Sequence, residues 1–206
     1  ANYEGHISGV NSVQFSPDSQ TLLTSSWDNT ARLWSLEGDR LLNLTEHSGW
    51  VYDATFSPDG EIIATASYDN TVKLWDLQGN LLHILEGHSD GVISVQFVGD
   101  GTMIATASAD NTMKLWQTDG RLMTTLPGHN GSVNDISFSP DGRHLASASD
   151  DRTVLLWDMS VLGNLDELLT IGCNWLSDYL QHSSLDEGDR QLCGAESSVF
   201  VAPPLD

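Results

Sequence analysis

In the stretch ATASYDNTVKLWD, residues 64–76, Ser67 and Asp69 stand two residues apart, and His47 lies twenty residues before the serine. Serine, histidine and an acid are the components of a hydrolytic triad, in which imidazole takes the hydroxyl proton and the acid holds the imidazole in the right tautomer. A working nucleophile also needs a reachable hydroxyl, an oxyanion hole and room for substrate. Ser67 sits instead within an alternating run, with no Gly-x-Ser-x-Gly elbow around it. The same residues also recur. Ser26, Ser67, Ser108 and Ser149 follow one another at steps of 41, as do Asp28, Asp69, Asp110 and Asp151. His6, His47, His88 and His129 keep that step, and so do Trp34, Trp75, Trp116 and Trp157. Four copies of one catalytic set in a single chain point away from catalysis and towards a repeated structural role.

The elements that must position these residues read as strands. VYDATFS alternates apolar and polar residues, and SPDG follows as a turn with Pro58 where φ near −65° is wanted. Then come EIIATAS, a tight YDN turn, TVKLWDL rich in β-formers, a QGN turn and LLHILEG. Each unit therefore predicts a four-stranded antiparallel sheet. One such sheet cannot cover both of its apolar faces, so neighbouring units must stack.

With a Gly-His pair, a Ser-x-Asp before the third strand and a closing Trp-Asp, the chain resembles the WD-repeat β-propeller family. The resemblance covers residues 1 to about 160. Trp34-Ser35 and Trp116-Gln117 depart from Trp-Asp, and Glu46 replaces one glycine. The expected fold is all-β: four four-stranded blades at about 6–46, 47–87, 88–128 and 129–161, the last incomplete, then a helical tail over 162–206. The resemblance implies that histidine, serine, aspartate and tryptophan form an internal hydrogen-bond network in each blade. In the second blade its members are His47, Ser67, Asp69 and Trp75. A buried indole N–H needs an acceptor, which the serine hydroxyl is expected to supply. The serine then passes its own proton to the histidine, while Asp69 caps histidine and turn N–H groups.

The periodicity also argues against a metal or other cofactor. The four repeated histidines belong to four different blades and cannot converge on one ion at ~2.0–2.1 Å. His83, His144 and His182 stand outside the pattern, and no phosphate-cradling Gly-rich loop with Gly-Lys-Ser/Thr occurs. Net charge is −21 over 206 residues, which repels phosphate backbones and disfavours nucleic acid while steering basic partners inwards. No stretch approaches eighteen apolar residues, so no membrane partner is expected. Cys173 and Cys193 are too few for a disulfide framework; a single bridge is open, but reduced thiols in the cytoplasm are the expectation.

The chain starts at Ala1, and ANYEGH matches only the tail of LLHILEGH. No fourth strand like the others follows Asp158. Completing a ring is therefore expected to require further blades upstream or a second copy. From Asn164, NLDELLTIG has an N-cap, Glu167 at the capping-box position and Gly172 as a stop, and NWLSDYLQ follows with amphipathic spacing. These helices are expected to cover the edge of the last blade, and residues 194–206 to fray. The tail also resembles the end segment of bacterial, especially cyanobacterial, WD-repeat proteins, in which the propeller often follows a STAND-type NTPase.

Variation between units marks candidate contacts. Before the repeated aspartate stand Trp27, Tyr68, Ala109 and Asp150; three residues after the histidine stand Gly9, Trp50, Gly91 and Ser132; two further on stand Asn11, Tyr52, Ile93 and Asn134. In the family these positions lie on a face where partners commonly dock. Trp27, Trp50, Tyr52 and Tyr68, with Asp53 beside them, are thus the candidate partner-binding residues, aromatic clusters being typical hot-spot material. The alternative is that some of them fill gaps between blades. The expected function is a non-catalytic protein-interaction scaffold, the recognition part of a larger signalling or assembly protein. The alternatives are a sensor of a small ligand or peptide that regulates an attached effector such as a STAND-type NTPase, and an enzyme, which the absence of a non-periodic His/Asp/Glu cluster disfavours.

Overall fold

A computed structural model describes residues 2–159. The chain divides into two compact units, 1–157 and 158–206, and the strands build the first of them. The expected tail helices lie outside the described residues.

Four antiparallel sheets follow one another along the sequence. The first is β1 (Val10–Phe15), β2 (Thr21–Ser26), β3 (Ala31–Ser35) and β4 (Arg40–Leu44), paired in chain order. The second is β5 (Val51–Phe56), β6 (Ile62–Ser67), β7 (Thr71–Asp76) and β8 (Leu81–Glu86). β9 (Val92–Val98), β10 (Met103–Ser108), β11 (Thr112–Gln117) and β12 (Leu122–Pro127) form the third. The fourth has three strands among the described residues, β13 (Val133–Phe138), β14 (His144–Ser149) and β15 (Val154–Asp158).

Local chemistry sets the turns between these strands. Between the second and third strands, the residue after the repeated aspartate adopts positive φ: Asn29 at 67°, Asn70 at 70°, Asn111 at 69° and Arg152 at 73°. Asparagine tolerates this left-handed geometry, and a three-residue hairpin loop requires it there. The first strand of each sheet carries a bulge, with pairing that skips Asn11, Tyr52, Ile93 and Asn134. An extra residue of this kind bends the strand and re-aims its side chain. The variable positions 11, 52, 93 and 134 are therefore bulge positions.

Packing between sheets forms the core. Val51, Ala54, Phe56, Ile63 and Trp75 of the second sheet lie against Leu23, Ala31, Leu33 and Leu44 of the first. Val92, Val95, Ile104 and Trp116 of the third repeat the arrangement against Ala64, Val72, Leu74 and Leu85 of the second. Burying each large apolar side chain stabilises by roughly 1.5–3 kcal/mol. Polar stitches run alongside. The Ala54 and Phe56 amides donate to Ser12 Oγ (3.2 Å) and Gln14 Oε1 (2.8 Å), and the Val95 amide donates to Asp53 Oδ2 (3.1 Å).

The two outermost faces depart from this pattern. Val10, Val13 and Phe15 on β1 are exposed, Phe15 at 60%, whereas their counterparts Val51, Ala54 and Phe56 are buried. At the other end, Val154 and Leu156 are 71% and 69% exposed, whereas Val72 and Leu74 are buried.

Candidate functional site

Each sheet holds one polar network, and the geometry repeats closely. In the second sheet, His47 Nδ1 lies 2.8 Å from Asp69 Oδ2, and His47 Nε2 lies 2.7 Å from Thr65 Oγ1. The Trp75 indole N–H donates to the same Thr65 oxygen at 2.9 Å. A carboxylate can only accept, so the imidazole proton sits on Nδ1 and Nε2 accepts from the threonine hydroxyl. Proton donation therefore runs Trp75 to Thr65 to His47 to Asp69. His6, Thr24, Asp28 and Trp34 build the same chain in the first sheet. His88, Thr106, Asp110 and Trp116 build it in the third, and His129, Ser147, Asp151 and Trp157 in the fourth.

The geometry corrects the expected role of the repeated serines. The indole acceptor is not Ser26, Ser67, Ser108 or Ser149 but the hydroxyl two residues earlier, on Thr24, Thr65, Thr106 or Ser147. Register explains why. Trp75 pairs with Ile63. At ~3.3 Å per residue, the same-face hydroxyl of Thr65 is about 7 Å along the strand from Ile63, and that of Ser67 about 13 Å, beyond the reach of an indole. Ser67 ties the turn instead, donating to the Gly49 carbonyl at 3.1 Å and accepting from the Asp69 amide at 3.1 Å. Ser26, Ser108 and Ser149 likewise accept from the amides of Asp28, Asp110 and Asp151. The threonine position was visible in the sequence, since a hydroxyl recurs there at the same step. His47 also has both ring nitrogens engaged away from Ser67, which is fully buried.

The aspartates close the network at the turn. Asp69 accepts from the Ser48 and Thr71 amides and from the Thr71 hydroxyl. Partial burial pushes the Asp28 carboxyl up, but hydrogen bonds from Thr30, His6 and Ile7 outweigh it and hold the pKa at about 2. Asp69 and Asp110 are likewise lowered, donors winning over burial, and Asp151 is lowered chiefly by the Thr153 hydroxyl. Burial pulls His6 and His88 below the ordinary imidazole value despite their aspartate partners. A neutral imidazole is therefore favoured at each.

At the turn end of the sheets, four aromatic side chains meet. Trp27 and Trp50 have ring centroids 5.7 Å apart, Trp50 and Tyr68 also 5.7 Å, and Tyr52 stands edge-on to Trp50 and Tyr68 at 6.4 Å. Trp27 belongs to the first sheet's turn and the others to the second unit, so the cluster bridges two sheets. The Tyr68 amide donates to the Trp50 carbonyl at 2.9 Å, tying turn to connector. The bulge at Tyr52 turns its ring into the group. Trp27, Trp50 and Tyr68 are each about half exposed.

Asp53 does not join them. Its carboxylate accepts from the Val95 amide, the Ser94 hydroxyl (3.3 Å) and the Ala54 amide. The expected placement beside the aromatics is thus corrected: Asp53 follows the bulge, so it points between sheets, and burial raises its pKa. Burial first, and then the charges of Tyr68 and of Asp90 on the connector into the third sheet, raise the pKa of the Tyr52 phenol.

Among the described residues, no three His, Cys, Asp or Glu side chains gather to hold a metal, and no helix is long and apolar enough to cross a membrane. The profile of the family described as "WD domain, G-beta repeat" matches residues 1–35, 38–76, 79–117 and 120–158. Each of the last three matches begins next to the outer strand of one sheet and ends at the third strand of the next, so the sequence repeat straddles neighbouring sheets. No curated protein gives a significant match to the chain.

Proposed function

Because the chain belongs to the WD domain, G-beta repeat family, we propose that it is a non-catalytic protein-binding scaffold whose docking surface is the cluster of Trp27, Trp50, Tyr52 and Tyr68. Repeats of this family generally mediate protein–protein interaction. The observation that carries the assignment to this surface is half-exposure of three large aromatic rings at positions where the third and fourth units carry Ala109, Asp150, Gly91 and Ser132. Those units form the same sheets without aromatics there, so the rings serve something other than folding. Affinity capture with the chain as bait tests this. Specific polypeptides lost by the Trp50→Ala/Tyr68→Ala variant support it, provided the variant keeps its unfolding midpoint; capture indifferent to the substitutions rules the surface out.

In this reading the exposed faces of β1 and β15 are covered by further blades, from a longer polypeptide or a second copy, because their residue types match faces buried elsewhere in the chain. The tail resemblance supports placing the chain as the C-terminal recognition part of a larger signalling or assembly protein, and its two cysteines, too few for a disulfide framework, support a cytoplasmic setting. A second reading, a sensor controlling an attached effector such as a STAND-type NTPase, is favoured by an open depression of about 370 Å³ at the opposite end of the sheets. Gln14, Phe15, Thr55, Phe56, Gln96 and Phe97 line it, and its size suits a small ligand. A thermal-shift screen distinguishes this reading, since a ligand bound there raises the unfolding temperature.

A further inference from the structure

We propose that the aromatic cluster is a receptor for an arginine side chain on a basic partner segment. The inference rests on the docking reading above and adds the chemistry of what docks.

Three observations converge on a cation. The Trp27–Trp50 and Trp50–Tyr68 ring planes are tilted by only 37° and 36°, with centroids 5.7 Å apart, and each of the three rings is about half exposed. Indole and phenol faces carry the negative lobe of the ring quadrupole and attract cations. The exposed charges of the segments that carry and border the cluster have one sign, the nearby Arg32 being buried against Asp28. Residues 7–11, 27–30, 47–52, 68–70 and 86–91, which carry and border the cluster, hold Asp28, Asp69, Glu86 and Asp90 but no lysine or arginine. Asp28 is held by His6 and by the Arg32 guanidinium at 3.4 Å, and Asp69 by His47, which leaves Glu86, at the end of β8, and Asp90, on the connector into the third sheet, as the exposed acids. Finally, a net charge of −21 draws basic segments to the whole surface.

Arginine fits better than lysine. A planar guanidinium stacks on a ring face while its edge donates to a carboxylate, whereas an ammonium is a strongly hydrated point charge. The guanidinium would lie on Trp50, flanked by Trp27 and Tyr68, with Asp90 at the rim.

The test titrates the intact chain with acetyl-Gly-Arg-Gly-Arg-Gly-Arg-Gly-amide and with its citrulline counterpart, which keeps the shape but removes the charge. The indole N–H resonances of Trp27 and Trp50 are the readout. The arginine peptide is expected to shift both saturably, and the citrulline peptide to bind about tenfold more weakly. Trp50→Leu, which keeps apolar area but removes the ring face, should abolish the shift of Trp27. Asp90→Asn should weaken binding about threefold. Equal binding of the two peptides, undiminished binding by Trp50→Leu, or no shift with the arginine peptide overturns the proposal. The docking reading is judged separately: if Trp50→Ala/Tyr68→Ala releases captured polypeptides while the arginine peptide leaves the indoles unmoved, the surface stands and the cation does not; if capture is indifferent to those substitutions, the surface itself falls.

Discussion

A single hydroxyl per sheet decides how the buried indole is satisfied. Thr65 accepts from Trp75 and donates to His47, so Thr65→Val strips both partners at unchanged volume. Each orphaned buried group costs about 1–3 kcal/mol. Ser67→Ala removes only turn contacts and should cost about 1 kcal/mol. Urea unfolding of the two variants checks the order; a larger loss for Ser67→Ala would contradict the assignment of the network. The titrating pairs fix the acid response. His6 and His88 have folded pKa values below the unfolded ~6.5, so the unfolded state binds protons first and stability falls as pH drops through that value. The lowered aspartates act in the same direction below about pH 4, with Asp28 complete only near its folded value of about 2. Asp53, with its raised pKa, opposes this. Unfolding midpoints measured from pH 8 to pH 3 should therefore decline in two stages, and a flat profile across pH 7–5 would remove the neutral-imidazole argument. The identities of the histidine, aspartate and tryptophan were legible from their common step. The acceptor was not, because Thr65 and Ser67 share a face and only the pairing of Trp75 with Ile63 selects between them.

Among elements, the bulge in β5 separates a residue that joins the aromatic cluster from one that binds the neighbouring sheet. Tyr52 joins the aromatics and Asp53 takes the Val95 amide. Asp53→Ala should cost about 1–3 kcal/mol by leaving that buried amide unpaired, whereas Asp53→Asn keeps an acceptor and should cost less. Neither should alter capture by the aromatic surface. Denaturation curves paired with the capture assay check both halves, and loss of capture in a fully folded Asp53→Asn would return this residue to the docking surface. The strands, their order and the hairpin turns could be read from alternation and from SPDG and YDN. The bulge could not, since one extra residue inside an alternating run leaves no mark until the pairing is known; adjacency in sequence alone sets Asp53 beside the aromatics, although successive strand residues face opposite sides.

Among the described residues, the first–second and second–third sheet contacts follow one pattern, and similar faces on β1 and β15 are exposed. Phe15 on one and Leu156 on the other correspond by position to the buried Phe56 and Leu74. With no other blades present, purified chains are expected to associate through these faces, and Phe15→Lys with Leu156→Lys should yield a monomer of unchanged sheet content. Sedimentation over a range of concentrations measures this; a wild-type chain that stays monomeric throughout would refute the match between the faces. The need for covering was legible in the repeat, because one sheet cannot bury both of its sides.

Among the described residues, successive sheets present similar residue types to one another and pack mainly against their neighbours. Forty-one codons duplicated in tandem would therefore encode an extra sheet that finds a fitting seat on both sides without alteration to any existing one. Growth by copying is open to such a gene, and the aromatic substitutions confined to the first two units show how one copy can afterwards diverge while its siblings keep the frame.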